Sequence, residues 1–150
     1  MPSALTVFVD TNVLLYAQDP RSEDKRQAAK QWLSWCWSAD AGRISSQVLH
    51  EMYANLRRVA PSLPASQARE LVKSYRQWQP WAVDNATVDQ AWALQDKTLY
   101  SYWDCLMLSA AMQMGCRYLL TEDLTHDQQL SGLTIINPFR ATPQSLGLSV

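Results

Sequence analysis

Four acidic residues, Asp10, Glu51, Asp104 and Asp123, stand where the chain could do chemistry. Asp10 closes the apolar run Leu5-Thr6-Val7-Phe8-Val9, which is β-branched, uncharged and suited to a buried strand of a parallel sheet. In open α/β sheets, ligands bind beyond the carboxyl ends of the strands, which is where Asp10 would sit. Asp123 follows a second such run, Arg117-Tyr118-Leu119-Leu120-Thr121. Strand alternation puts Thr121 and Asp123 on one side and Glu122 on the other, which favours Asp123 over its neighbour. If the two strands are parallel neighbours, both carboxylates reach one edge of the sheet. From Asp104, helical steps of three, four and seven reach Met107, Leu108 and Ala111, a buried face on which a carboxylate needs hydrogen bonds, a cation or a metal. Glu51 flanks the stripe Val48, Leu49, Met52, Leu56 and Val59, with Asn55 one turn on as a possible support. Each acid also has a plainer use. Asp10 and Asp104 suit helix starts, and Glu51 suits a solvated helix face.

Converging carboxylates with no compensating lysine repel one another, so such a cluster makes sense around a divalent cation. Oxygen ligands select Mg²⁺ or Mn²⁺ over zinc, and with only His50 and His126 in the chain a histidine-rich zinc site has little basis.

These residues need elements to hold them. After the first strand, Asn12 to Gln18 reads as helix, broken at Asp19-Pro20-Arg21-Ser22. Ser22, with Glu23 and Asp24 behind it, starts a helix running to about Trp37. Arg43 to Ser46 reads as a weak strand, followed by a helix over about Gln47 to Val59. Past Pro61 and Pro64, a helix from about Ser66 to Trp78 carries Arg69, Lys73 and Arg76 on one face. Pro80 to Asp84 reads as a short strand, then Thr87 to Lys97 and Tyr100 to about Met114 as helices, with Gly115 a natural stop. Thr134-Ile135-Ile136 is a last strand, and the tail beyond Phe139 is unpatterned. Strands alternating with helices predict an α/β fold with a mainly parallel sheet, as one domain over residues 1–150.

Composition sets bounds. With 47% hydrophobic and 18% charged residues the chain is globular rather than disordered, and a net charge of −1 does not by itself suggest a nucleic-acid partner. Cys36, Cys105 and Cys116 lack the pairing of a disulfide framework, and no apolar run reaches membrane-spanning length, so a cytoplasmic protein is expected.

Taken in order, Val9-Asp10-Thr11-Asn12, Ser45 to Glu51, Trp103-Asp104, Leu120-Thr121-Glu122-Asp123-Leu124 and Asn137-Pro138-Phe139 resemble the PIN-domain family, and within it the VapC-like toxins of toxin–antitoxin pairs. The resemblance implies a three-layer α/β/α fold and Mg²⁺- or Mn²⁺-dependent endoribonuclease activity. It also implies Asp10, Glu51, Asp104 and Asp123 as catalytic, metal-holding acids, with Thr11, Asn12 and Thr121 as polar support. An antitoxin on a separate chain and a homodimer are implied as well. The chemistry fits the residues independently. Two cations roughly 3.5–4 Å apart could activate a water and stabilise the leaving oxygen of a phosphodiester, with one carboxylate oxygen of Glu51 or Asp123 orienting the water.

Other readings stay open. A phosphatase using Asp10 as nucleophile would want an Asp at position 12, where the chain has Asn. A non-catalytic RNA- or protein-binding module could keep the acids for a structural cation. Arg69, Lys73 and Arg76, with Arg57 and Arg58 nearby, could hold RNA phosphates or form a solvated face. Trp32, Trp35, Trp37, Trp78 and Trp81 could stack on bases or receive a partner, although core filling accounts for most of them. Cys105 is expected as a small buried hydrophobe and His126 as a loop residue, while Glu122 and Asp127 are further acids nearby.

Overall fold

In the computed structural model, which describes residues 4–148, the opening apolar run becomes strand β1 (Val7–Val9). All three of its residues are fully buried. Because successive strand residues point to opposite faces, this means that both faces of the sheet are covered, as a three-layer α/β/α arrangement requires.

The remaining strands are β2 (Gly42–Arg43), β3 (Tyr118–Leu120), β4 (Gln129–Leu130) and β5 (Leu133–Ile136), in the order β2-β1-β3-β5-β4. The β2–β1, β1–β3 and β3–β5 pairs are parallel, and only β4–β5 is antiparallel. In this register Val9 faces Leu120 and Leu120 faces Ile136, so the chain leaves β1 and β3 at the same edge. The next residues out are Asp10 and Thr121. Six α-helices are formed among the described residues: α1 (Thr11–Tyr16), α2 (Glu23–Ser38), α3 (Ser46–Val59), α4 (Ala65–Ser74), α5 (Asn85–Lys97) and α6 (Tyr102–Gln113). α1 packs against α2 and α3, α3 against α4, and α5 against α6.

Start and stop chemistry explains most boundaries. Ser45 caps α3 through Val48 N–H, Asp84 caps α5 through Thr87 N–H, and Ser101 caps α6 through Asp104 N–H. Gly115, at φ +71°, closes α6 as expected.

Four expectations need correction. The helix foreseen to Trp78 ends at Ser74 and tightens into a 3-10 turn, Tyr75–Trp78, which Gln79 closes in a left-handed conformation. That turn lets Tyr75 and Trp78 stack on Trp37 and reach the core. The strand foreseen over Pro80 to Asp84 is a single bridge between Trp81 and Ser45. The strand placed at Arg43 to Ser46 is β2, which lies earlier, because Ile44 and Ser46 pair with Trp81 instead. The loop before Thr134 is a hairpin. Ser131 and Gly132 both take positive φ, as a tight two-residue turn between β4 and β5 needs, and β4 is too short and polar to show alternation.

Gly42 makes a close approach. A Cβ there would lie 2.4 Å from two ring carbons of Trp78, itself buried among Tyr75 and Trp37. Gly42→Ala is therefore expected to destabilise the fold by roughly 1–3 kcal/mol, the usual cost of overpacking. A thermal midpoint equal to that of the parent would show that the indole moves aside freely.

Candidate active site

The site begins with the hydrogen bonds that the parallel register allows. Asp10 N–H bonds Leu120 C=O at 3.0 Å, and Thr121 Oγ1 donates to Asp10 Oδ2 at 2.7 Å. Asp10 Oδ1 accepts from Thr11 N–H at 2.6 Å, so Asp10 also caps α1, and the plainer use coexists with a place at the sheet edge. Thr11 Oγ1 donates to Glu51 Oε2 at 2.9 Å, bringing α3 to the same point. Asn12 Nδ2 donates to Asp123 Oδ2 at 2.9 Å and lies 3.3 Å from Asp10 Oδ2. Asp10, Thr11, Asn12, Glu51, Thr121 and Asp123 thus form one connected network.

Asp104 is not joined to it. The residue lies half-buried in the first turn of α6, and no hydrogen bond or ion pair involving its carboxylate occurs among the described residues. The buried face expected for it does not exist as a face. Every residue from Cys105 to Ala111 is buried, so the helix has no stripe to phase, and Asp104 precedes the buried stretch. Asn55 also departs from expectation, since its amide donates to the Glu51 backbone carbonyl rather than to the carboxylate. The side chain that does support Glu51 is Gln47, one turn earlier, whose Nε2 donates to Glu51 Oε1 at 3.1 Å. The spacing of four between Gln47 and Glu51 on a helix was its available signal.

Mutual hydrogen bonding, rather than the lack of a counter-ion, sets this network apart. Among the described residues, Asp19, Glu23, Glu70 and Glu122 each pair with an arginine or lysine; Asp10, Glu51, Asp104 and Asp123 pair with none, and neither do the exposed Asp24, Asp40, Asp84, Asp89 and Asp96. Glu122 turns away from Asp123, as strand alternation predicts, and bonds Lys25 Nζ at 2.8 Å and Tyr16 Oη at 2.5 Å. Burial pushes the Asp10 carboxyl up to about 7; the charges of Asp123 and Glu51 add to this, and the Thr121 and Thr11 hydrogen bonds oppose it. Asn12 explains why position 12 is not an acid. Its neutral amide bridges two carboxylates, where an Asp would add another negative charge.

A divalent cation fits the donors. They are all oxygens, and the amide oxygens of Asn12 and Gln47, on the two side chains that brace the acids, are buried without a hydrogen-bond partner. A buried acceptor left unpaired is costly, and a hard cation is one partner that would satisfy it. Among the described residues no three acidic, histidine or cysteine side chains stand close enough together, as placed, to hold a metal ion between them.

The sequence model of the PIN domain matches residues 7–129, which include the whole acid network. The chain belongs to the PIN-domain family. No curated protein matches it. Among solved structures, this PIN domain is similar to a toxin–antitoxin complex from Klebsiella pneumoniae (TM-score 0.64, 15% identity, 89% of this chain and 98% of that one). It is also similar to a DNA-bound VapBC from Salmonella typhimurium (TM-score 0.62, 16% identity, 88% and 97%) and to a sarcin-ricin-loop-cleaving VapC toxin from Mycobacterium tuberculosis (TM-score 0.56, 19% identity, 76% and 87%). At these identities the likeness is one of fold.

Other candidates sort clearly in this PIN domain. His126 accepts a hydrogen bond from Asn137 N–H at 2.9 Å, a loop role, and Cys105 is fully buried. Arg69 Nε donates to Tyr53 Oη at 3.0 Å, and Lys73 shares Glu70 at 3.4 Å. Trp32 and Trp78 are core residues, and Trp35 and Trp81 are half-buried. The well-exposed tryptophans are instead Trp92 (56%) and Trp103 (63%), on α5 and α6. No helix of the described residues is long and apolar enough to cross a membrane.

Proposed function

We propose that this PIN domain is a Mg²⁺- or Mn²⁺-dependent endoribonuclease and the toxin of a toxin–antitoxin pair. The observation that carries the catalytic reading is the connected set of Asp10, Glu51 and Asp123, unpaired with any cation, at the carboxyl edge of parallel strands. The toxin reading is supported by the toxin–antitoxin complexes among its structural neighbours.

Asp10, Glu51 and Asp123 would hold the metal, with Asp104 as a fourth acid at the rim. A bound divalent cation supplies charge neutralisation at the phosphate and a more acidic water. Asp10, the buried acid, is fixed at both oxygens, by Thr11 N–H and Thr121 Oγ1, and is suited to holding rather than moving a proton. Asp123 is exposed and held only through Asn12 and Thr121, so its free oxygen is placed to orient or deprotonate the attacking water. Thr11 and Gln47 leave the Glu51 carboxylate little rotational freedom. Arg69, Lys73 and Arg76 serve, on this reading, RNA long enough to pass around α3.

The test is cleavage of single-stranded RNA by the purified chain with Mg²⁺ or Mn²⁺. Cleavage should stop with chelator and leave 5′-phosphate and 3′-hydroxyl ends. Calorimetric titration with Mn²⁺ is expected to show binding that Asp104→Asn weakens by about 10-fold or more. Full binding in that variant would remove Asp104 from the site. Metal binding without any RNA cleavage would leave the chain a binding module with a structural cation.

A further inference from the structure

Asn12 borders a second feature besides the acids. A cavity of about 180 Å³ opens next to it, between α1 and the end of α3. Its apolar walls are Leu15, Val59 and the Tyr16 ring, and its polar walls are Asp19, Arg21 and Arg58. At this size it suits one phosphate or one nucleoside unit, being below the ~300 Å³ of sites for drug-sized ligands.

The two arginines are not equivalent. Asp19, only 5% exposed, accepts from Arg21 three times: from the backbone N–H at 3.0 Å, from Nε at 2.9 Å and from Nη2 at 2.8 Å. Arg21 is thereby fixed and its charge matched. The Arg58 side chain makes no hydrogen bond or ion pair among the described residues and only adds, through space, to the charge that holds Asp19 ionised, so two arginines against one carboxylate leave the cavity a net positive charge.

Arg58 also stands in line with the acids. Gln47, Glu51, Asn55 and Arg58 are separated by four, four and three residues, which puts them on one face of α3. From Glu51 to Arg58 is about 10 Å along the axis at 1.5 Å per residue. By the same geometry Leu49 and Tyr53, which line the groove of Arg69, Lys73 and Arg76, lie on nearly the opposite side of α3. A strand crossing the acids therefore meets Arg58 before it meets the α4 stripe.

We propose that this cavity is the subsite for the nucleotide next to the scissile bond, in which Arg58 holds the adjacent RNA phosphate and Leu15, Tyr16 and Val59 pack its nucleoside. This rests on the ribonuclease reading above. The Asp19–Arg21 pair forms the fixed wall of the subsite, and the Tyr16 ring is held by its hydroxyl's bond to Glu122.

The probe is a fluorescently labelled, mixed-sequence single-stranded oligoribonucleotide, titrated with the full chain carrying Asp10→Asn so that it is not cut. Anisotropy is followed over a salt series. Adding Arg58→Gln is expected to weaken binding about 10-fold and to lower the slope of log K against log salt by about 0.7, the loss of one single-strand phosphate contact. Arg58→Lys should recover most of the slope. Lys30→Gln, the same charge loss on exposed α2, should stay within about twofold. With Asp10 intact, Arg58→Gln should raise KM while leaving kcat within about threefold. Unchanged affinity and slope in Arg58→Gln, an equal loss in Lys30→Gln, or a fall in kcat at constant KM would each overturn the subsite and leave the nuclease reading standing. Absence of both RNA binding and cleavage would overturn the two together.

Discussion

Asp10→Asn is expected to abolish RNA cleavage, by roughly 10³-fold or more, and at the same time to stabilise the metal-free chain. Both effects come from one arrangement. Asp10 is buried at the sheet edge with Asp123 and Glu51 nearby, and its carboxyl is pushed up to about 7 from an ordinary value of 3.8. Between about pH 4 and pH 7 the folded chain therefore holds a proton that the unfolded chain has lost, so stability falls as pH rises through that window. Above about pH 7 the full cost of the buried charge stands. Asparagine occupies nearly the same volume and carries no charge; its amide oxygen can still accept from Thr11 N–H while its Nδ2 donates to the Thr121 hydroxyl. The variant's advantage should be absent below about pH 4, grow through neutrality and reach roughly 1–3 kcal/mol above pH 7. For a chain of this size that is a rise of about 2–12 °C in thermal midpoint. Melting curves from pH 4 to 8 in chelator would measure it. Mg²⁺ should raise the midpoint of the parent chain and leave that of the variant nearly unmoved, since a cation relieves the same repulsion. A variant less stable than its parent at pH 8 in chelator would show that Asp10 is held by its hydrogen bonds more strongly than burial disfavours it. The expected trade of stability for function is a common mark of catalytic groups.

The largest effect on folding is expected at Trp32. Its side chain has no exposed surface, meets Trp35 edge-on at 6.3 Å and donates Nε1–H to Ala141 C=O at 2.9 Å. Trp32→Ala removes the core volume and a side-chain bond by which α2 holds the segment after β5, leaving the exposed Gln31–Gln144 bond. A loss of roughly 3–5 kcal/mol is expected, a large share of the 5–15 kcal/mol that folds a typical domain. Trp32→Phe keeps most of the packing and loses the hydrogen bond, and should cost about 1–2 kcal/mol. Urea unfolding of the pair would separate packing from bonding. Equal losses would mean that the bond to Ala141 dominates. The same segment carries Phe139, whose ring meets Tyr16 edge-on at 5.2 Å with Lys25 Nζ near both rings. Cleavage by Trp32→Ala should therefore fall with the folded fraction, without a change in metal affinity per folded molecule.

Some of this was determined by the sequence alone. The strands around Val7–Val9 and Tyr118–Leu120 are short apolar runs that only a doubly covered parallel sheet can bury, and Asp10 and Asp123 follow from where those runs stop. The choice of Asp123 over Glu122 needed only strand alternation, and Glu122 does turn away to Lys25. The ordered motifs sufficed to indicate the family. Periodicity failed where an element has no contrast between its faces. α6 is buried at every position from Cys105 to Ala111, so nothing in its pattern showed that Asp104, half-buried in the first turn, stands outside the hydrogen-bonded network. β4 is two residues long, and the α4 extension tightens into a 3-10 turn because Trp78 must pack on Gly42, a contact between distant parts of the chain. The tertiary structure alone decided which polar side chains serve the acids. Gln47 rather than Asn55 reaches the Glu51 carboxylate, and Thr121 reaches across from β3 to Asp10. It also decided which arginine stands beside the site: Arg58 shares a helix face with Glu51, whereas the more regular stripe Arg69, Lys73 and Arg76 lines a groove on the far side of α3. Spacing along one helix fixes a face, but which face meets the sheet edge is set by packing against other helices.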